Sequence, residues 1–314
     1  MTATSPAATS TRFDQLALAP ATLQNLEQLG YTQMTPIQAA SLPLTLAGQD
    51  LIAQASTGSG KTAAFGLPLI ERLQSAGSPS AAIQAVILCP TRELADQVTQ
   101  EIRRLARARQ NVKVVTLCGG VALRGQTVSL EHGADVVVGT PGRILDHLER
   151  GSLSLAGVNT LVLDEADRML DMGFFDDIAT VVKQTPKERQ TLLFSATMPK
   201  LIEDLASTYL RDPVRVQVAT PGKPIEKIVQ GVHFIPNGDK ARLLEEYLKK
   251  HVGEQALVFG RTKHGSEKLA KLLAVWGFKV GSIHGNKSQN QRDRTLGLKV
   301  AQGPDDAGRS VAQH

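Results

Sequence analysis

The 314-residue chain is 42% hydrophobic and 21% charged, which is ordinary for a globular protein, and its length argues for two domains. No stretch reaches the apolar length of a membrane span. The polar start MTATSPAATSTRF lacks the apolar core of a secretory leader, and the two cysteines, at no metal spacing, exclude a disulfide scaffold and read as buried small hydrophobes.

The net charge of +5 is uneven, with −2 over residues 1–218 and +7 over residues 219–314. A basic second part points toward a polyanion. These features describe a cytoplasmic protein of bacterial type with no membrane attachment.

In chain order, residues 1–11 are expected to be a disordered lead. From residue 12, short apolar runs alternate with helical patterns. The runs are DLIAQA (50–55), AVILCP (85–90), VKVVTLC (112–118), ADVVVGT (134–140), TLVLDEAD (160–167), TLLFSAT (191–197) and VRVQVA (214–219). Each is nearly continuous in Val, Leu and Ile, as strands buried on both faces are. Segments such as ELADQVTQEIRRLARA between them carry apolar residues at helical spacing. Strand and helix alternating at this rhythm predict an α/β domain over 12–218, with a parallel sheet covered by helices on both faces.

ATPGKPIEK (219–227), with two prolines and a glycine, reads as a linker. Beyond it the rhythm restarts with VQGVHFI, QALVFGRT and KVGSIHG, so a second α/β domain spans 228–296. Residues 297–314 turn to Gly, Asp, Ala, Ser and Gln with no apolar run, and are expected to be an aberrant, disordered tail.

Two constellations carry chemistry. LIAQASTGSGKTAAF is a buried strand, a Gly-rich turn and a helix start. It fits the phosphate-loop pattern G-x-x-x-x-G-K-[ST], with Ala55 at the first glycine position. Through Ser56, Thr57, Gly58, Ser59 and Gly60 the backbone N–H groups can close on phosphate oxygens at a helix N-terminus. Lys61 is placed to reach the β- and γ-phosphates, and Thr62 to ligate Mg2+. The second constellation is Asp164–Glu165, directly after a strand, at the carboxyl end where open α/β sheets bind ligands. Asp164 suits Mg2+, directly or through water. Glu165 suits the orientation and deprotonation of an attacking water. Lys61, Asp164 and Glu165 are thus the candidate catalytic groups.

With both constellations in hand, the chain resembles the DEAD-box RNA helicases over about residues 12–295, residues 164–167 spelling the family's name. GYTQMTPIQ (30–38) resembles the family's adenine-sensing Q motif, with Met34 where a proline is usual. The resemblance implies that Gln38 hydrogen-bonds the adenine edge, that Tyr31 stacks near the ring, and that Phe13 is the isolated upstream aromatic. PTRELA (90–95), Gly119–Gly120 and TPGR (140–143) resemble its RNA-backbone contacts, which implies roles for Pro90, Thr91, Arg92, Gly120, Thr140, Pro141, Gly142 and Arg143. Hydroxyls, guanidinium groups and free N–H groups at strand ends suit phosphates and read no sequence.

SAT (195–197) matches the motif that couples ATP chemistry to RNA, with Ser195, Ala196 and Thr197 near Asp167. LVFGRTK (257–263) and HGNKSQNQR (284–292) match motifs of the second domain, which implies Arg261, Thr262, Gly285, Gln289 and Arg292 as RNA or structural contacts.

The fold implied is two RecA-like domains, the second incomplete. The cofactors are ATP and Mg2+, and the partner is RNA held by its backbone. A monomer is expected, with ribosome-assembly or RNA-decay partners. Family likeness stops near Thr295–Gly297, before the segments that supply further arginines to the γ-phosphate. A chain interrupted there, by a frameshift or a gene-model error, is therefore expected to unwind RNA poorly. The alternative readings are a non-catalytic ATP- and RNA-binding clamp or decoy, and a P-loop ATPase acting on DNA.

Overall fold

The computed structural model describes residues 12–74, 82–109, 111–218, 229, 231–297 and 308–312. The segments read as a lead (1–11) and a linker (219–227) lie outside the described residues. The chain divides into two units, Met1–Pro224 and Ile225–His314.

In the first unit, a short 3-10 turn at Phe13–Gln15 and helices α1 (Pro20–Gln28) and α2 (Pro36–Leu46) precede strand β1 (Leu51–Gln54). There follow α3 (Lys61–Arg72), β2 (Ala85–Leu88), α4 (Arg92–Leu105), β3 (Val114–Leu117), α5 (Leu123–Glu131), β4 (Val136–Gly139) and α6 (Pro141–Glu149). Then come β5 (Thr160–Leu163), α7 (Ala166–Asp171), α8 (Phe175–Lys183), β6 (Gln190–Ser195), α9 (Lys200–Tyr209) and β7 (Val214–Gln217). Every one of the seven apolar runs is a strand. All pairings are parallel, in the order β3-β4-β2-β5-β6-β1-β7.

Helices lie on both faces because both faces are apolar. Along β6, Leu192 and Phe194 enter one core, with Phe65 and Ile87, while Leu193 enters the other, with Ile144 and Ile178. This is the two-residue alternation of a strand. The outer strand β7 alternates half-buried and exposed residues instead, as an edge does.

The amino end of the sheet is closed by structural polar contacts. Buried Asp50 accepts from the amides of Thr191 and Arg211 at 2.8 Å each. That leaves the carboxyl end, where β1, β6 and β5 lie side by side, for chemistry.

The second unit contains α10 (Lys240–Lys250), β8 (Leu257–Phe259), α11 (Lys263–Val275), β9 (Lys279–Ile283), α12 (Gln289–Leu296) and β10 (Gly308–Ala312). Its sheet is parallel, in the order β8-β10-β9. Two expectations change here. VQGVHFI forms no strand at residues 231–235: its apolar pattern is strand-like, but it has no ladder neighbour among the described residues, and Phe234 is 96% exposed. The tail, read as lying outside the fold, instead contributes β10 between β8 and β9. Ladder bonds come from the backbone, so a segment without an apolar run can fill a slot between two strands.

Candidate functional site

The turn after β1 is left-handed at Gly58 and Gly60, with φ of 78° and 89°. At Gly60 the requirement is double, since a Cβ would also lie 2.6 Å from the Gln38 side chain. The turn delivers Lys61 to the first position of α3. Lys61 is 7% exposed; its ammonium group has no hydrogen-bond partner and lies 3.9 Å from the Asp164 carboxylate. A buried ammonium with no hydrogen bond, ion-paired at 3.9 Å, can donate charge-assisted bonds to a further anionic oxygen. Thr62, half-buried, follows it at the same helix start.

Asp164 is 2% exposed, and burial raises its pKa to about 6. The nearby ammonium of Lys61 opposes the rise, and Glu165 adds to it. One carboxylate oxygen also accepts from the Glu165 amide at 3.0 Å. Glu165 itself has φ 51° and ψ 52°, a left-handed conformation that costs a side-chain-bearing residue free energy and clusters at functional sites. Its carboxylate is held from two sides, by the Thr57 hydroxyl at 3.2 Å and the Arg168 guanidinium at 3.4 Å. The phosphate loop and the acidic pair, 108 residues apart, therefore meet through Thr57–Glu165 and Lys61–Asp164.

This donor set fits Mg2+–nucleotide. A single buried carboxylate with a neighbouring threonine is what Mg2+ uses when phosphates and waters complete its shell.

Asp167 faces the SAT turn. Its carboxylate accepts from the Thr197 amide and hydroxyl, both at 2.8 Å, and its own amide donates to the Ser195 hydroxyl at 3.2 Å. Burial pushes its pKa up, but the hydrogen bonds from Thr197 and Ser195 outweigh that and hold it below the usual carboxylate range. Ala196 is tied to β1 through its carbonyl, which accepts from Gln54 at 3.1 Å. The four residues read as a coupling group are thus one connected cluster.

The Q-motif residues Gln38, Tyr31 and Phe13 each have structural contacts of their own. The Gln38 amide accepts from the Thr35 backbone at 2.9 Å and donates to the Gly60 carbonyl at 3.0 Å. It closes the capping box of α2 and fastens that helix to the phosphate loop, leaving one N–H and one lone pair free for a base. Phe13 and Tyr31 pack edge-to-face at 6.0 Å and line a cavity of about 480 Å³ with Leu23, Leu26 and Glu27. Gln38 is not among that cavity's lining residues. The Tyr31 hydroxyl donates to Glu101. Met34, in place of the usual proline, is buried in the adjoining core.

The residues read as backbone contacts converge at the carboxyl ends of β2, β3 and β4. Thr91, after Pro90, caps α4 by accepting from the Leu94 amide at 3.3 Å. Gly120 takes φ 76°, and a Cβ there would lie 3.9 Å from the Arg92 guanidinium. Thr140, Pro141 and Gly142 open α6. Arg143 donates to the Val121 carbonyl at 3.0 Å and pairs with Asp146 at 3.2 Å.

In the second unit Thr262 caps α11, accepting from the Gly265 amide at 3.0 Å, next to exposed Arg261. Arg292 donates to the carbonyls of Lys287 and Gly285, at 3.2 and 3.4 Å, and so shapes the turn after β9. Gln289 begins α12.

Two further networks join α11 to β9 and the turn after it. The Glu267 carboxylate receives Ser282, His284 at 3.0 Å and Lys287 at 3.1 Å, and these bonds lower its pKa to about 2. In addition, the Lys263 ammonium donates to the Asn286 side chain at 3.1 Å. Spacing alone does not expose them, because only the fold brings α11 against β9 and the turn after it.

The chain matches the family model for the DEAD/DEAH box helicases over residues 35–205 and that for the helicase conserved C-terminal domain over residues 239–298. It is 48% identical over 280 residues to the ATP-dependent RNA helicase DbpA of Escherichia coli, covering 89% of this chain and 60% of that protein. It is 42% identical to the DEAD-box ATP-dependent RNA helicase CshA of Geobacillus kaustophilus, covering 90% of this chain and 60% of that one. The chain thus spans about 60% of the length of these curated relatives.

Among solved structures, a DEAD box protein from Methanococcus jannaschii is similar with a TM-score of 0.63 at 38% identity, over 96% of this chain and 80% of that one. A variant of Saccharomyces cerevisiae Dbp5 bound to a Gle1 variant and IP6 gives a TM-score of 0.71 at 29% identity, over 98% and 76%. The parallel α/β sheet read from the seven runs, and the RecA-like fold that the resemblance implied, are the fold of these neighbours.

Proposed function

The chain belongs to the DEAD/DEAH box helicase family, and from that premise we propose that its first unit binds Mg2+–ATP at the carboxyl end of β1, β5 and β6 and hydrolyses it in concert with RNA. The observation that carries the proposal is the buried Lys61 ammonium at the mouth of the phosphate loop, with no hydrogen bond and 3.9 Å from Asp164. Lys61 takes charge on the β- and γ-phosphates, which relieves its own lack of a hydrogen bond. Asp164 and Thr62 would hold Mg2+, which supplies charge neutralisation on the phosphate oxygens. Glu165, fixed by Thr57 and Arg168, orients the attacking water and accepts its proton.

Hydrolysis is linked to RNA through Asp167. Its contacts with Ser195 and Thr197 join the helix after the acidic pair to the turn after β6. RNA phosphates lie along Arg92, Gly120, Thr140 and Arg143 in this unit, and along Arg261, Thr262 and Gly285 in the second. Contacts of this kind bind without sequence preference and weaken with salt. The bacterial relatives are named ATP-dependent RNA helicases, and the outcome expected of this chain on a short RNA duplex is at most slow, local strand separation.

The test is calorimetric. Lys61→Ala should weaken ATP binding by at least about tenfold, roughly the loss of one charge-assisted contact. Glu165→Gln should retain ATP but lower RNA-stimulated phosphate release by about 10²–10⁴. Equal ATP affinity for wild type and Lys61→Ala would remove the nucleotide from this site. ATP and RNA binding with no phosphate release from the wild type would leave a binding clamp in place of an enzyme.

A further inference from the structure

A buried histidine lies behind the surface on which Arg92, Gly120, Thr140 and Arg143 converge. His147, on α6, is 0% exposed. Its Nε2 lies 3.2 Å from the Gln126 side-chain oxygen, and its Nδ1 lies 2.8 Å from the Ser152 hydroxyl. Gln126, also buried, donates its amide N–H to the Cys118 carbonyl at 2.8 Å.

A carbonyl only accepts, so the orientation of the Gln126 amide is determined: nitrogen toward Cys118, oxygen toward His147. The imidazole proton then sits on Nε2, and Nδ1 accepts from Ser152. Burial, followed by the charge of Arg143, lowers the pKa of His147 and keeps the ring in this neutral form. The chain Ser152–His147–Gln126–Cys118 is continuous, with both ring nitrogens of His147 and both ends of the Gln126 amide hydrogen-bonded, and the Ser152 hydroxyl lies also 3.2 Å from the His147 carbonyl.

The placement of this chain shows its purpose. Cys118 is the residue immediately before Gly119–Gly120, and Val121 is the residue immediately after. The Val121 carbonyl accepts from Arg143. Arg143 and His147 are four residues apart and share one face of α6. A single helix face therefore grips both ends of the glycine turn, directly through Arg143 and through Gln126 for the other end. The Thr140 amide adds a third tie, donating to the Leu117 carbonyl at 3.1 Å. Well-packed apolar side chains could fill the same volume with less desolvation. A hydrogen-bonded polar trio instead gives the turn one geometry relative to α6.

We propose that His147 is a positioning residue for RNA binding: with Gln126 it locks the Gly119–Gly120 turn to α6, so that the two backbone-contact segments meet phosphates as one rigid surface. The inference rests on the reading that Gly120, Thr140 and Arg143 contact RNA phosphates.

The test uses the full chain and a fluorescein-labelled ten-nucleotide oligouridylate, with affinity read by anisotropy at fixed salt and ATP affinity read in parallel. His147→Phe keeps the volume and removes both hydrogen bonds. It should weaken the oligouridylate about five- to twentyfold, as loss of one ordered buried network does, and leave ATP affinity within about twofold. His147→Gln, whose amide can donate to Gln126 from near the Nε2 position, should recover most of the loss. Gln126→Leu should weaken RNA to a similar degree, and the double variant His147→Phe with Gln126→Leu no further, because the two residues act as one unit.

Arg143→Ala separates the inference from the reading beneath it. If Arg143→Ala weakens RNA while His147→Phe and Gln126→Leu bind like wild type, the positioning role is wrong. If Arg143→Ala also binds like wild type, the phosphate-contact reading is wrong. A parallel fall in ATP and RNA affinity in His147→Phe would show general structural support and overturn the specific role.

Discussion

The two units share one grammar, strand then helix then parallel strand, yet they bury their strands to very different degrees. In the first, β2, β4, β5 and β6 are buried along their whole length, between two helical layers. In the second, β8 reads exposed, half-buried, exposed, and the buried apolar residues among those described are Leu248, Ala270 and Leu273. Strand periodicity specifies which residues point to which face. It does not specify that something covers the face. The proposed ATP site lies in the unit whose sheet is covered on both sides, where rigid strand ends can hold Lys61, Asp164 and Glu165 at fixed separations.

That contrast can be broken most forcefully by core truncation. Phe194 is fully buried and packs edge-to-face on Phe65 at 5.4 Å, so Phe194→Ala should cost about 3–5 kcal/mol. Leu257 in β8 is 57% exposed, and Leu257→Ala should cost under about 1 kcal/mol. Urea unfolding of both variants measures the difference, and comparable losses would mean that the second unit is better packed than its exposure indicates.

Acid should separate the units by sign. The raised pKa of Asp164, about 6 against an unfolded value of 3.8, means that the folded first unit binds a proton more tightly than the unfolded chain. Its contribution is fully present below 3.8 and is lost as pH rises through about 6, with a slope of at most about 1.4 kcal/mol per pH unit. Glu267 behaves oppositely. Its pKa is lowered to about 2 from 4.5, so its contribution is present above 4.5 and is lost as pH falls toward 2, weakened by solvent screening. Stability measured from pH 4 to 8 should carry a component that disappears in Asp164→Asn. An unchanged pH profile in that variant would assign the slope to other groups.

The smallest effect is one that the units should share. Thr91 caps α4 and Thr262 caps α11 by the same side-chain bond to the third helical amide, and each has an arginine beside it in sequence. Replacement of either by alanine should cost about 0.5–2 kcal/mol, measured by the same unfolding assay. A cost confined to Thr91→Ala would show that the α11 cap is frayed in solution.

Much of the first unit is legible from the chain alone because its signals are local. Seven β-rich apolar runs became seven strands, and GSGKT followed a strand and opened a helix. The acidic pair fell at a strand's carboxyl end. Asp167, Ser195 and Thr197 form the cluster that the family likeness implied. The second unit was less legible. VQGVHFI has the composition of a strand without a neighbour to pair with, and GRSVA pairs as a strand without the composition.

Gln38 adds a contact that the motif does not state. Its amide also bonds Thr35 and Gly60, which ties α2 to the phosphate loop. The left-handed backbone at Glu165 and the Gln126–His147 and Glu267 networks leave no spacing signature at all.

The sequence by itself determined the period of each segment, the order of the elements, and the residue types at strand ends, because these depend on side-chain size, polarity and turn chemistry within a few neighbours. Only the tertiary structure decided which strands become neighbours, that Lys61 meets Asp164 and Thr57 meets Glu165 across 103 and 108 residues of chain, and that one face of α6 holds both ends of the glycine turn. Those outcomes depend on sheet order and on the pairing of buried polar groups, and a buried donor is satisfied by whichever acceptor the fold brings within about 3 Å, however far away it lies in the sequence.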